Sequence, residues 1–143
     1  MTVVLDIVIV NWNSGTQLRR CLESIPAAER RGLEIRRVTV VDNASSDHSA
    51  DALDDLPLPL VCIRNATNRG FAAACNQAAR GSPAAYLLFL NPDATVGKDA
   101  LAAPIHFLEQ PAHGTVGIVG VQLRDEKGVV ARGCARFLTP AMI

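Results

Sequence analysis

At 143 residues, 49% of them hydrophobic, the chain is about one domain long and carries enough apolar side chain for a core, which excludes disorder. Lys plus Arg balance Asp plus Glu at 14 each, so nothing points to nucleic acid as a partner. The 4 cysteines form no C-x-x-C pair, and His48, His106 and His113 show no metal spacing, which argues against a zinc site. Cys21, Cys62 and Cys75 fall on apolar faces, as small hydrophobes do in a reducing compartment. The apolar start is interrupted by Asp6 and is too short for a signal or a span, so the expected location is cytoplasmic.

Residues 3–10 are β-branched and apolar and read as a buried strand. After Asn11-Trp12-Asn13-Ser14-Gly15, a capping box of Ser14 and Gln17 opens a helix with Leu18, Cys21, Leu22 and Ile25 inward, stopped by Pro26. Residues 35–41 form the next strand, ending in Asp42-Asn43-Ala44-Ser45-Ser46-Asp47. A helix from Asp47 is expected to bury Ala50 and Leu53 and to end before Pro57. Residues 60–63 are a short strand. Asn68 then caps a helix with Phe71, Ala74, Cys75 and Ala78 on one face, closed by Gly81. Tyr86-Leu87-Leu88-Phe89-Leu90 is uniformly apolar, as a central strand covered on both faces should be, and Pro92 ends it. A helix over 98–109 places Leu101, Ile105 and Leu108 inward, with a kink at Pro104. Residues 116–121 read as a further strand, and Asp125-Glu126-Lys127-Gly128 as the turn of a hairpin between 122–124 and 129–132.

Strands alternating with helices predict an α/β fold: a mostly parallel, Rossmann-like sheet with helices on both faces and right-handed crossovers. In such a sheet the polar tips Asn11-Trp12-Asn13, Asp42-Asn43 and Asn91-Pro92-Asp93 share the carboxyl edge, where ligands bind, and residues 65–71 join them. Neither G-x-x-x-x-G-K-[ST] nor G-x-G-x-x-G occurs, so a diphosphate would lack the usual backbone cradle. A metal held by Asp93 would supply the missing positive charge. Trp12, the 1 tryptophan, would stack on a base, and Asp42 would accept from a ring N–H or a sugar hydroxyl. Each residue has a plainer reading: Asp93 as a turn acid, Trp12 as a partly buried aromatic, Asp42 and Asp47 as helix caps. For Asp47 the cap is preferred.

Val8-Ile9-Val10-Asn11-Trp12-Asn13, Val40-Val41-Asp42-Asn43-Ala44-Ser45-Ser46-Asp47, Asn68-Arg69-Gly70-Phe71 and Leu88-Phe89-Leu90-Asn91-Pro92-Asp93 stand in the order in which family-2 glycosyltransferases of the GT-A fold carry such motifs. The chain resembles that family over residues 3–121, and looks most like its bacterial rhamnosyltransferase-type members. The resemblance implies transfer of a sugar, with inversion, from a nucleotide-diphosphate sugar to a glycan or lipid-linked acceptor, in cell-wall or polysaccharide biosynthesis. It implies nucleotide contacts from Asn11, Trp12, Asp42, Asn68, Arg69, Gly70 and Asn91, with Asp42 on a pyrimidine base and Trp12 against it. A thymidine or uridine diphosphate sugar is expected ahead of a guanosine one.

The same likeness implies a divalent cation, Mg²⁺ or Mn²⁺, at Asp93. Asn91 stands where the family's D-x-D motif has its first Asp. An amide is no charged ligand, so Asn91 is assigned to ribose or a metal-bound water. The family's catalytic base falls beyond Ile143. Residues 1–143 therefore read as the nucleotide-sugar-binding part of a GT-A domain, truncated before its acceptor half and unable to transfer sugar alone. Peripheral association with the inner face of the membrane is expected of the whole protein, and the apolar tail would drive a homodimer. Two other readings stay open: a non-catalytic nucleotide-sugar-binding module and a sugar-phosphate nucleotidyltransferase. The second is disfavoured because residues 11–15 are not a basic, glycine-rich loop.

Overall fold

In the computed structural model, which describes residues 2–131, β1 (Val3–Asn11) is paired on both of its edges. After α1 (Gln17–Ser24) comes β2 (Leu33–Asp42), then β3 (Leu60–Arg64), α2 (Phe71–Ala79) and β4 (Tyr86–Leu90). The strands are parallel and ordered β3-β2-β1-β4. α3 (Ala102–Leu108) and a short 3₁₀ turn (Pro111–His113) follow. The chain divides into two compact units, Met1–Ala102 and Ala103–Ile143.

β1 and β2, rather than the apolar β4, are the inner strands. From Leu5 to Asn11 every residue of β1 is buried. α2 lies over β1 and β2, where Ala74, Cys75 and Ala78 meet Val8, Val10 and Val41, with Ile63 packed alongside. The small side chains let the helix come close to the sheet. Ile7, Ile9, Val38 and Val40 point to the other face and are equally buried, as is the α1 stripe Leu18, Cys21, Leu22 and Ile25. Right-handed crossovers put α1 on that face: the path runs from β1 outward to β2 and β3, then reverses to β4. β4 is an edge strand among the described residues. Its burial alternates, leaving Leu87 and Phe89, 50% exposed, beyond the cover of α2. An apolar run shows what a strand tolerates; the crossovers decide where it sits.

Asp6, which interrupts the apolar start, is buried but partnered. The β1–β2 register slips between Leu5 and Asp6, so that Ile35 pairs with Leu5 and Arg37 with Asp6, leaving Arg36 as the extra residue. This bulge brings both arginines to one carboxylate. Arg36 hydrogen-bonds Asp6, Arg37 lies 3.6 Å away and the Ser82 hydroxyl donates at 2.6 Å. Burial alone would raise the pKa of Asp6, but the Ser82 and Arg36 hydrogen bonds and both positive charges outweigh it and hold the carboxyl below its usual value.

Several expectations are corrected. No helix follows Asp47: residues 48–56 are turns and bends, with His48 and Ala52 at φ 60° and 51°, although Ala50 and Leu53 are buried as expected. The Asp47 carboxylate instead takes the Ser49 hydroxyl and the Ser49 and Gly15 amides. α3 starts at Ala102, later than expected, so Pro104 falls in its first turn, where a missing N–H costs little. Residues 116–121 form no strand, because the described residues offer them no ladder partner. The turn at 125–128 does close: Gly128 N donates to Asp125 O at 2.9 Å, and Arg124 bridges antiparallel to Val130. Arg132, Cys134 and the apolar tail lie outside the described residues. Among the described residues no helix is long and apolar enough to cross a membrane.

Candidate functional site

The strand register fixes where the polar tips stand. Asn11 is opposite Asp42, and Leu90 is opposite Ile9, so Asn91 and Asp93 emerge at the same carboxyl edge as Asn11, Trp12 and Asp42. β1 leads to β2 on one side and has β4 on the other, so the connections reverse direction beside β1. The crevice at such a reversal is where open α/β sheets hold ligands.

At its centre Asn11 is 0% exposed and Asp42 5%. Asn11 Nδ2 faces Asp42 Oδ1 at 2.9 Å, Ser45 Oγ at 3.0 Å and Ser49 Oγ at 2.9 Å. Asp42 thus has one oxygen fixed by Asn11, while Oδ2 has Arg64 Nη1 at 3.9 Å. Arg64 is itself held by Asp51 at 2.8 Å and by Ala50 O at 2.9 Å. The expected capping box does not form: Ser14 turns its hydroxyl to Asn11 Oδ1, and α1 starts from Thr16 without a side-chain cap. A polar core beneath the loop takes the serine that the helix would have used.

The loops after β1 and β2 are stitched together. Asn13 N donates to Ser45 Oγ at 3.0 Å, Ser46 N to Asn13 Oδ1 at 2.8 Å, and Gly15 N to Asp47 Oδ2 at 2.8 Å. Hydrogen bonds from the Ser49 hydroxyl and amide and from Gly15 lower the Asp47 pKa. Asp47 is therefore a clamp between loops and caps no helix. Trp12 stands 59% exposed above this base, which removes the core-aromatic reading.

The segment after β3 is tied to the β2 tip. Asn65 N donates to Asp42 O at 2.8 Å, and the Asn65 side chain pairs with Gln77 of α2 through two hydrogen bonds of 3.0 and 3.1 Å. Asn68 is not the N-cap of α2. That position belongs to Gly70 at φ 82°, a conformation glycine adopts without strain. Asn68 Oδ1 accepts from Gly70 N at 2.9 Å. Phe71, expected on the buried face, is 57% exposed because α2 begins only there, with Ala74, Cys75 and Ala78 turned to the sheet. Arg69 is exposed, and its guanidinium has no partner among the described residues.

Asn91-Pro92-Asp93-Ala94 closes as a β-turn, with Ala94 N bonded to Asn91 O at 3.2 Å and Pro92 at the position whose fixed φ suits it. The Cys21 thiol donates to Asn91 O at 3.5 Å, and beyond the turn the Ser24 hydroxyl accepts from Val96 N at 2.8 Å. Burial and the nearby Asp93 charge push the Cys21 thiol up to about 12, so it is no nucleophile. Asn91 and Asp93 are exposed. Among the described residues no group of three His, Cys, Asp or Glu stands together as a metal site. A single carboxylate still suits a cation that takes its other oxygens from phosphate and water, as Mg²⁺ does.

The edge thus offers an oriented carboxylate, an exposed indole, an exposed guanidinium and an exposed acid. Sequence reasoning named these and missed what holds them: Asn13, Asn43, Ser45, Ser49, Asn65 and Gln77. Their density of small polar side chains after strands was the available signal.

A family model described as Glycosyl transferase family 2 matches residues 6–132. No curated protein matches the chain. Among solved structures it is similar to a mannosyltransferase, PcManGT of Pyrobaculum calidifontis, in complex with GDP-Man and Mn²⁺, at 26% identity and a TM-score of 0.62, over 75% of this chain and 32% of that one. It is also similar to S. aureus TarS 1-349 in complex with UDP-GlcNAc, at 22% identity and a TM-score of 0.63, over 76% of this chain and 31% of that one, a likeness of fold. The chain spans about a third of the length of these structures.

Proposed function

The chain belongs to glycosyl transferase family 2, and from that premise we propose that its sheet edge binds the nucleotide of an activated sugar for transfer, with inversion, to a glycan or lipid-linked acceptor. The register that sets Asn11 beside Asp42 and brings the β4 tip to the same rim carries this reading. A carboxylate only accepts hydrogen bonds, so Asp42 suits a base with a ring N–H, as in uracil, thymine and guanine, and not the ring nitrogens of cytosine or adenine. Trp12 lies against that base, Arg69 meets the diphosphate, and Asn91 meets ribose or a metal-bound water. Asn68 and Gly70 shape the loop. Asp93 would hold Mg²⁺ or Mn²⁺, whose charge would favour departure of the diphosphate. The neighbours' printed ligands, GDP-Man with Mn²⁺ and UDP-GlcNAc, support this class of donor. We place the base that deprotonates the acceptor hydroxyl outside residues 1–143, and take rhamnose as the sugar and a uridine or thymidine diphosphate as the carrier.

A thermal-shift panel of nucleoside diphosphates, with and without Mn²⁺, tests the reading. Binding at about 100 times Kd adds about 2.7 kcal/mol, several degrees for a domain of this size. Uridine and thymidine diphosphates should give the largest rise, larger with Mn²⁺. Asp93→Ala should abolish the metal increment and keep the metal-free shift. No shift with any nucleoside diphosphate would refute the function.

A further inference from the structure

We propose that Asn43 is the positioning residue that presents Arg69 to the nucleotide, an inference that rests on the reading of the site above. Asn43 is 2% exposed and so acts only through what it holds. Its Oδ1 accepts from Arg69 N at 3.0 Å and from Asn65 Nδ2 at 3.1 Å, while its Nδ2 donates to Asn68 Oδ1 at 2.7 Å. Asn68 Oδ1 in turn accepts from Gly70 N at 2.9 Å. The backbone N–H groups of Arg69 and Gly70 therefore both end on this one pair of amides, and no ladder or helix holds them. Asn43 is anchored in its turn, because its backbone N donates to Asn11 O at 2.8 Å, next to Asp42. One buried amide thus couples the loop that carries Arg69 to the strand tip that carries the carboxylate.

The chemistry requires an amide. Oxygen faces two donors and nitrogen faces one acceptor, so only one orientation of Asn satisfies all of them. Asn43→Asp keeps the shape, removes the donor to Asn68 and sets two acceptors against each other. The loop must move, and Arg69 moves with it.

A double-mutant cycle read by titration with UDP tests this. Asn43→Asp should weaken UDP binding about 10-fold, the equivalent of one lost hydrogen bond. In an Arg69→Ala background the same substitution should change affinity less than about 2-fold, because its effect passes through Arg69. An equal loss in both backgrounds would mean a general structural or charge effect and would overturn the proposal. An unchanged affinity in Asn43→Asp would overturn it too. Should Asn43→Asp fail to fold, Asn68→Ala, at an exposed position, goes through the same cycle with the same expected pattern. If the unsubstituted protein binds no nucleoside diphosphate, the function itself falls and this inference with it. Binding with an additive cycle overturns the inference alone.

Discussion

Asn11→Asp turns the centre of the site into a test of its own geometry. Asn11 Nδ2 lies 2.9 Å from Asp42 Oδ1 and has no solvent exposure to soften the change. Two ionised carboxylates at that separation repel by about 6 kcal/mol at an effective dielectric of about 20. The cheaper outcome is that the introduced carboxyl keeps its proton. At pH 7 that costs about 4 kcal/mol, from an ordinary pKa near 3.9 and 1.36 kcal/mol per unit. The retained proton replaces the donor to Asp42, while the second N–H, shared between Ser45 and Ser49, is lost, so near pH 4 only a pH-independent penalty of about 1 kcal/mol remains. The folded-state pKa of the introduced group is raised above its unfolded value. Stability relative to the parent is therefore kept below the unfolded pKa and falls by about 1.4 kcal/mol per unit as pH rises towards neutrality. Urea unfolding of both proteins at steps from about pH 4.5 to 7.5 gives the difference directly, and acid effects common to both cancel. A difference independent of pH, or one that grows on acidification, would refute the proposed carboxylate–amide contact.

Trp12→Ala should weaken nucleotide binding by about 1–3 kcal/mol, roughly 5- to 150-fold, while leaving stability within about 0.5 kcal/mol, since the indole is 59% exposed. Titration and thermal melting separate the two: a lowered melting point with unchanged affinity would put Trp12 in the fold and outside the site. Asp6 has its folded pKa held below the unfolded value, so its contribution is present above about pH 4 and lost as pH falls through the lower folded value. Asp6→Asn should cost about 2–3 kcal/mol at pH 7, less than a fully buried pair because both arginine side chains are 32% exposed. It should also flatten the stability profile below about pH 4 and leave nucleotide affinity unchanged, because Asp6 pairs with Arg37 and Leu87, well back from the rim.

What the sequence determined was local. The β-branched runs made β1 and β2, the Leu18-Cys21-Leu22-Ile25 spacing made α1, and Pro92 ended β4, since periodicity and missing donors act within a few residues. Parallel alternation then brought the tips bearing Asn11, Asp42 and Asp93 to one edge, so the candidate site was legible as well. Tertiary structure alone decided what depends on distant partners. The crossovers, not the apolar run, made β1 and β2 the inner strands and left β4 at an edge among the described residues. Asp47 gave up a helix for Gly15, 32 residues away, and Ser14 gave up a cap for the buried Asn11. The Asn43 side chain found its three partners, two side chains and the Arg69 backbone N–H, 22 to 26 residues further on. A hydrogen bond to a buried polar group outweighs a local capping preference, because leaving that group unpaired away from water costs more than a frayed helix end in water.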